Sequence, residues 1–358
     1  MAQELPKYMV LVNWIKQQVL SNQLKYGEKL FSENELSAMF GISRQTVRQA
    51  VGMLEQDNYV ERRRGSGTFI KYSPLSHRKK TMNIGVISTY LDDYIFTSII
   101  RGTETVLTKN GYTMQLTFTH NRVENESRAL RTMIDKNVDG IIVEPTKSGL
   151  PNPNRCFYDE IYQKKIPLVF FNAYYPGLPF PHIAMNDTIA GRLATQALIN
   201  AGHKKIAGIF MSDDMQGHMR YAGYLEALRT AGLDLHSERV LWYSTEDFTC
   251  LSEDIHRVLR CLKDCTAFVT YNDQLAVNLI PLLREQGISV PEQLSVASID
   301  NCDMAAVFEV PLTSVAHPMS LLGETAAKNL LKLIDDPNFD ATVDFIPELV
   351  ERSSIRKR

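Results

Sequence analysis

Apolar residues follow two rhythms along this chain. As far as residue 56 they recur every three or four positions. Beyond residue 82 they gather into short runs separated by amphipathic stretches. In the first part Val12, Ile15, Val19 and Leu20 form an i, i+3, i+4 stripe that predicts a helix over residues 8–20. Residues 28–31 read as a short strand-like piece. Ser32, with Glu35 three residues later, makes a capping box for a helix through Phe40. Gly41 ends that helix, and Ser43 caps a third that runs to about Gln56, with Val47, Ala50, Val51 and Leu54 as its buried stripe. Residues 59–62 and 68–71 then read as two strands of a hairpin around a tip at 63–67.

In the second part the strand candidates are residues 83–88, 112–118, 139–143, 167–171, 206–210, 266–271 and 295–299. Helical patterns at 95–109, 126–137, 188–201, 218–231 and 274–286 lie between them. Strand–helix alternation at this spacing predicts parallel sheets covered by helices on both faces. The elements are too many for one ordinary sheet, so two α/β lobes are expected. Residues 72–82, polar and Pro-bearing without periodicity, read as a linker in which Arg78, Lys79 and Lys80 form a charge run. The expected domains are therefore 1–71, the linker 72–82, and 83–358. The two lobes of the last are expected at about 83–184 with 313–342, and 185–312 with 343–358.

Composition changes this picture in one respect. The whole chain, 358 residues at 44% hydrophobic and 22% charged, carries a net charge of −2, which taken alone argues against a polyanionic partner. Split at residue 80, the first part holds 13 Lys and Arg against 7 Asp and Glu, net +6, and the rest 26 against 34, net −8. A basic head on an acidic body suits one domain that meets polyanions and one that does not. The apolar runs, such as 206–211, are too short to span a bilayer, and Lys7, Lys16 and the Gln17–Gln18 pair interrupt any N-terminal signal region. A cytoplasmic protein is expected. Cys156, Cys250, Cys261, Cys265 and Cys302 are scattered without a CxxC pair, which suits reduced thiols acting as small apolar residues better than a metal site.

Helix, tight Gly turn, helix and basic hairpin together describe a nucleic-acid reader. Arg44, Gln45, Arg48 and Gln49 lie near the start of the third helix and off its buried stripe. Arg can bond guanine bidentately and Gln adenine, and the N-terminal residues of such a helix reach base edges in the major groove. Arg63 and Arg64, beside Gly65-Ser66-Gly67, suit a wing drawn into the minor groove, where glycines let backbone approach phosphate. A plain solvated helix face is the alternative, and the hairpin that follows makes it less favoured.

In parallel sheets ligands sit beyond the carboxyl ends of the strands. Those positions carry Ser88-Thr89-Tyr90 with Asp92, Asp93 and Tyr94, then Glu144, Asn172, Ser212-Asp213-Asp214, Asn272-Asp273 and Asp300-Asn301. Carboxylates and amides interleaved with aromatics fit a polyhydroxyl ligand, the aromatics packing on a sugar's apolar face. Singly, each residue serves equally well as an N-cap, and Asp187 is expected to act partly in that way. The chain has no G-x-S-x-G, P-loop, HExxH or G-x-G-x-x-G after the first strand, so binding without turnover is expected, with no cofactor and no metal.

Residues 5–71 resemble the winged helix-turn-helix domain of the GntR family of bacterial regulators. The resemblance is carried by Ser32-Glu33-Asn34-Glu35-Leu36, by Phe40-Gly41-Ile42-Ser43-Arg44-Gln45-Thr46-Val47-Arg48-Gln49-Ala50, and by Gly65-Ser66-Gly67-Thr68-Phe69. It implies DNA contacts from Asn34, Ser43, Arg44, Gln45, Thr46, Arg48, Arg64, Gly65, Ser66 and Gly67. The family often has Pro where this chain has Phe31 and Arg where it has Asn34, so one familiar contact is in doubt.

Residues 83–358 resemble the effector domain of the LacI/GalR family, built like periplasmic sugar-binding proteins. Here the matching segments are Ile84-Gly85-Val86-Ile87, Asp139-Gly140-Ile141-Ile142, Gly202-His203-Lys204-Lys205-Ile206, Arg220 with Gly223-Tyr224, Asn272-Asp273, and Pro311-Leu312-Thr313-Ser314-Val315 with Pro318. The resemblance implies effector contacts from Arg220, Asn272 and Asp300. Tyr90, Tyr94, Glu144 and Asn172 join them as candidates from the strand-end reading. The linker lacks the apolar hinge helix of the LacI/GalR pattern. A GntR-type head on a LacI/GalR-type body is a rare pairing, and residues 88–102 and 141–148 are similar to the arabinose-responsive regulators that share it. What this implies is a homodimeric repressor released from operator DNA by L-arabinose or a related sugar. The alternatives are a response to another pentose or hexose, or a sugar-acting enzyme fused to a DNA-binding head.

Overall fold

The computed structural model describes residues 6–21, 23–72, 80–90, 94–248 and 255–358. Residues 73–79 of the linker (Arg78 and Lys79 among them), Asp92, Asp93, Cys250 and the Leu20 side chain lie outside this description. Two compact units make up the chain, Met1–Thr81 with Lys332–Asp340, and Met82–Leu331 with Ala341–Arg358.

The N-terminal unit has helices α1 (Lys7–Leu20), α2 (Glu33–Phe40) and α3 (Arg44–Gln56), followed by the antiparallel strands β1 (Val60–Arg63) and β2 (Gly67–Ile70). The expected caps set the helix boundaries. Ser32 Oγ accepts from the Glu35 amide at 3.3 Å while Glu35 Oε2 accepts from the Ser32 amide at 2.7 Å. Gly41, at φ +60°, takes the left-handed conformation that ends α2, and Ser43 Oγ accepts from the Thr46 amide to start α3. Val12, Ile15 and Val19 of α1 close over Leu36, Val47, Ala50, Val51 and Leu54, all buried. The piece at 28–31 pairs beside β2 through Leu30 N–H to Thr68 O and Ile70 N–H to Glu28 O, both 2.8 Å.

The larger unit begins with β3 (Asn83–Ser88), α4 (Tyr94–Lys109), β4 (Thr113–Phe118), α5 (Val123–Asp135), β5 (Gly140–Val143), α6 (Arg155–Gln163), β6 (Leu168–Phe171) and β7 (His182–Met185). It continues through α7 (Asp187–Asn200), β8 (Ile206–Met211), α8 (Met215–Thr230), β9 (Val240–Tyr243), α9 (Ile255–Cys261), β10 (Ala267–Thr270), α10 (Asp273–Glu285), β11 (Ser295–Asp300) and α11 (Asp303–Val307). Last come β12 (Thr313–Ala316), α12 (Met319–Asp335), β13 (Val343–Phe345) and β14 (Leu349–Val350). Two six-stranded sheets result, ordered β13-β7-β6-β5-β3-β4 and β14-β12-β11-β10-β8-β9, parallel throughout except where β14 runs against β12.

One expectation needs correction. β12 belongs to the second sheet and β13 to the first, so the chain crosses between lobes after residue 316 and again after 345, not at 313 and 343. The apolar face of α4 includes Phe96, Ile99, Ile100 and Val106. Ile99 and Val106 are buried in the chain's own core, Phe96 faces a cavity, and only Ile100 is half-exposed. No helix among the described residues is long and apolar enough to cross a membrane.

Candidate functional site

The carboxyl ends of the two sheets enclose a cavity of about 420 Å³, within the range usual for small-molecule sites. Thr89, Tyr90, Glu144 and Asn172 line it from the first lobe, and Asp214, Arg220, Tyr271, Asn272 and Asp300 from the second. Of the candidate contacts only Tyr94 is not in the wall. Its hydroxyl donates to Asp300 Oδ2 at 2.6 Å and so bridges the lobes.

Arg220 is the most constrained of these residues. Nε donates to Asp187 Oδ1 at 2.7 Å, Nη1 to the Tyr271 carbonyl at 2.6 Å, and Nη2 reaches Asp300 Oδ1 at 3.4 Å. Burial opposes its charge, and the Asp187 and Asp300 carboxylates outweigh that and hold it cationic. Asp187 was expected to cap α7. The cap is Asn186, whose Oδ1 accepts from the Ile189 amide at 3.0 Å, which leaves Asp187 free to anchor the arginine. Asn272 fills both roles considered for it. Its Oδ1 caps α10 through the Leu275 amide at 3.0 Å while the residue lines the cavity. Its neighbour Asp273 points away, accepting from Ser314 Oγ at 2.6 Å and the Cys302 amide at 2.9 Å.

Across the cavity, buried Glu144 takes the Thr89 amide at 2.8 Å, the Thr89 hydroxyl at 2.6 Å and the Ser88 hydroxyl at 3.3 Å on Oε2, and Asn172 Nδ2 at 2.9 Å on Oε1. Desolvation still prevails over these donors and pushes its pKa up to about 8. Burial, reinforced by Asp213, likewise lifts Asp214 to about 7, and burial lifts Tyr90 to about 12.

Sequence reasoning missed much of the rest of the wall: Asn121, Gln216, Tyr243, Thr245 and Phe248. Asn121 follows β4 and Thr245 follows β9, the two edge strands farthest from the crossovers, and they meet through Asn121 Nδ2 and Thr245 Oγ1 at 2.6 Å. Asp213 accepts twice from the Thr245 amide at 3.1 Å and lies 3.6 Å from Lys147 Nζ. The lobes are thus tied on the side away from the crossovers as well. Among the described residues no group of three or more His, Cys, Asp or Glu is placed to hold a metal ion.

In the head, Asn34, Ser43, Arg44, Gln45 and Arg48 are exposed, Thr46 is half-exposed, and Arg64, Gly65, Ser66 and Gly67 form the exposed hairpin tip. Ser43 and Thr46 spend their hydroxyls on each other at 2.9 Å as part of the α3 cap. Arg48 pairs with Glu33 at 2.8 Å with its side chain 67% exposed. Gly65 and Gly67 hold φ of +77° and +118°, a turn that a side chain would strain.

Two family models match the chain: the bacterial regulatory proteins of the gntR family over residues 7–70, and the periplasmic binding protein-like domain over 195–355. The chain is 38% identical to the arabinose metabolism transcriptional repressor of Geobacillus stearothermophilus, covering 99% of this chain and 98% of that protein. The repressor of the same name from Halalkalibacterium halodurans is also 38% identical, with 96% of each chain covered. Among solved structures, the transcription regulator CcpA of Lactococcus lactis matches with a TM-score of 0.68 at 29% identity, over 76% of this chain and 99% of that one. These relatives are regulators of transcription and not enzymes. With likeness running through head and body alike, the chain belongs to the family of arabinose metabolism transcriptional repressors.

Proposed function

We propose that this repressor grips operator DNA through its head as a homodimer in the cytoplasm, and that L-arabinose in the cleft releases it. The observation that carries this reading is that one cavity takes its wall from both lobes. A ligand there contacts Glu144 and Asn172 on one side and Asp214, Asn272 and Asp300 on the other, so its affinity depends on the lobe arrangement. A ligand shifts a conformational equilibrium only by its differential affinity for the two states. A coupling of roughly 1–3 kcal/mol would lower operator affinity about 5- to 150-fold. Carboxyl and amide groups beside Tyr90, Tyr243, Tyr271 and Phe248 suit a neutral polyol with one apolar face.

The exposed start of α3 supports base contacts from Arg44, Gln45 and Arg48, and the tip from Arg64 to Gly67 supports contact with the sugar–phosphate backbone. Asn34, Ser43 and Thr46 flank that surface. Thermal unfolding against a sugar panel tests the ligand assignment. L-arabinose at 100-fold its dissociation constant should add about 2.7 kcal/mol of stability. A shift with D-galactose or D-xylose and none with L-arabinose would reject arabinose as the effector.

A further inference from the structure

His317 lies on the segment that takes the chain out of β12 and into α12, where it crosses from one lobe to the other. It is bonded to a cavity residue of each lobe. Its backbone N–H donates to the Asp300 carbonyl at 3.1 Å. Its ring Nε2 lies 3.0 Å from Asn172 Oδ1. Chemistry fixes the direction of this second bond. Asn172 Nδ2 donates to Glu144 Oε1, so Oδ1 is the acceptor turned toward the ring, and Nε2 must carry the proton. Nδ1 is then a bare lone pair, buried and without a hydrogen-bond partner. Burial, with the Arg220 charge nearby, depresses the ring's pKa to about 3, so the ring stays neutral in this tautomer.

Both partners are held in unusual backbone conformations. Asn172 has φ +64° and Asp300 φ +112°, regions a non-glycine residue keeps only when its surroundings over-determine it. The histidine supplies part of that determination on each side. Leucine would fill similar space and leave Asn172 Oδ1 buried without a donor. Glutamine would reach as far and still donate.

We propose that His317 is a positioning residue for the cleft, holding the Asn172 carboxamide toward the ligand from the crossover between the lobes. Ligand affinity therefore depends on its Nε2–H, although the ring itself does not line the cavity. The inference rests on reading the cleft as a sugar site, and the experiment separates the two.

Full-length wild type, His317→Leu and His317→Gln are titrated calorimetrically with L-arabinose, D-xylose and D-galactose, with melting temperatures measured alongside. The expected result is that His317→Leu weakens sugar binding about tenfold, His317→Gln stays within about threefold of wild type, and His317→Leu adds nothing in an Asn172→Ala background. If the leucine variant does not fold, His317→Asn replaces it, because its shorter amide cannot reach Asn172 and should show the same loss. Wild-type affinity in the leucine variant, an equal loss in the glutamine variant, or a full loss persisting beside Asn172→Ala would each overturn the proposal. A wild type that answers D-xylose or D-galactose but not L-arabinose strikes only the sugar assignment, and the variants are then compared with the sugar that binds.

Discussion

Glu144 receives four protein donors and still keeps its proton to about pH 8, because no charge beside it compensates for burial. Its ordinary value is 4.5, so between about pH 4.5 and pH 8 the folded chain holds a proton that the unfolded chain has released. Stability therefore falls as pH rises through that window, and Asp214, lifted to about 7, acts in the same direction. The melting temperature should drop between pH 5 and pH 8, and Glu144→Gln should flatten the slope. An unchanged slope in the variant would contradict this assignment. In the head, Arg48 trades its exposed Glu33 partner for DNA on binding. Arg48→Ala should cost operator binding roughly 1–3 kcal/mol, read by fluorescence anisotropy, with sugar affinity unchanged. A parallel loss of sugar affinity would refute that division of labour. At this scale much of the candidate site was legible, since parallel strands aim residues at their carboxyl ends toward a crevice: Glu144, Asn172, Asn272 and Asp300 line the cavity, although Asp273 points away. The division of roles was not legible. Asn186 and Asp187 are adjacent and both suit a cap, and only the position of Arg220 on another helix decides between them.

Helices α7 and α8 cross at glycines, which permits the approach that sets Arg220 beside Asp187. A Cβ on Gly223 would lie 1.9 Å from the Thr188 carbonyl oxygen, and one on Gly191 2.0 Å from that of Arg220. Both contacts are with backbone, which has no rotamer to yield. Gly223→Ala should destabilise by at least the 1–3 kcal/mol typical of overpacking, measured by chemical denaturation. A loss below about 0.5 kcal/mol would mean the helices separate freely. Most of the long periodic helices and buried central strands were visible in the apolar pattern. The elements that escaped include the short or edge pieces β7, β9, β13, β14, α9 and α11, and also α6, the inner strand β12 and the 17-residue α12. β9 carries mostly half-exposed side chains and so lacks the apolar run that marks its neighbours, which is why Tyr243 and Thr245 were missed as wall residues. The exchange of β12 and β13 between sheets is a matter of long-range pairing, for which a local pattern such as residues 311–315 holds no signal.

Over the whole molecule, residues 1–80 (head and most of the linker, net +6) joined to a body of net −8 divide the work between polyanion and neutral ligand. Operator affinity should thus fall steeply with salt as phosphates exchange counterions for Lys and Arg, while sugar affinity should not. One titration addresses the coupling between the two sites directly. Full-length protein is bound to operator DNA recovered by selection from a random library, then titrated with L-arabinose, D-xylose and D-galactose at fixed salt while anisotropy reports the bound fraction. The expected result is release by L-arabinose, with operator affinity lowered about 5- to 150-fold at saturation and the other sugars far less effective. Operator binding that stays constant while L-arabinose occupies the cleft would contradict it.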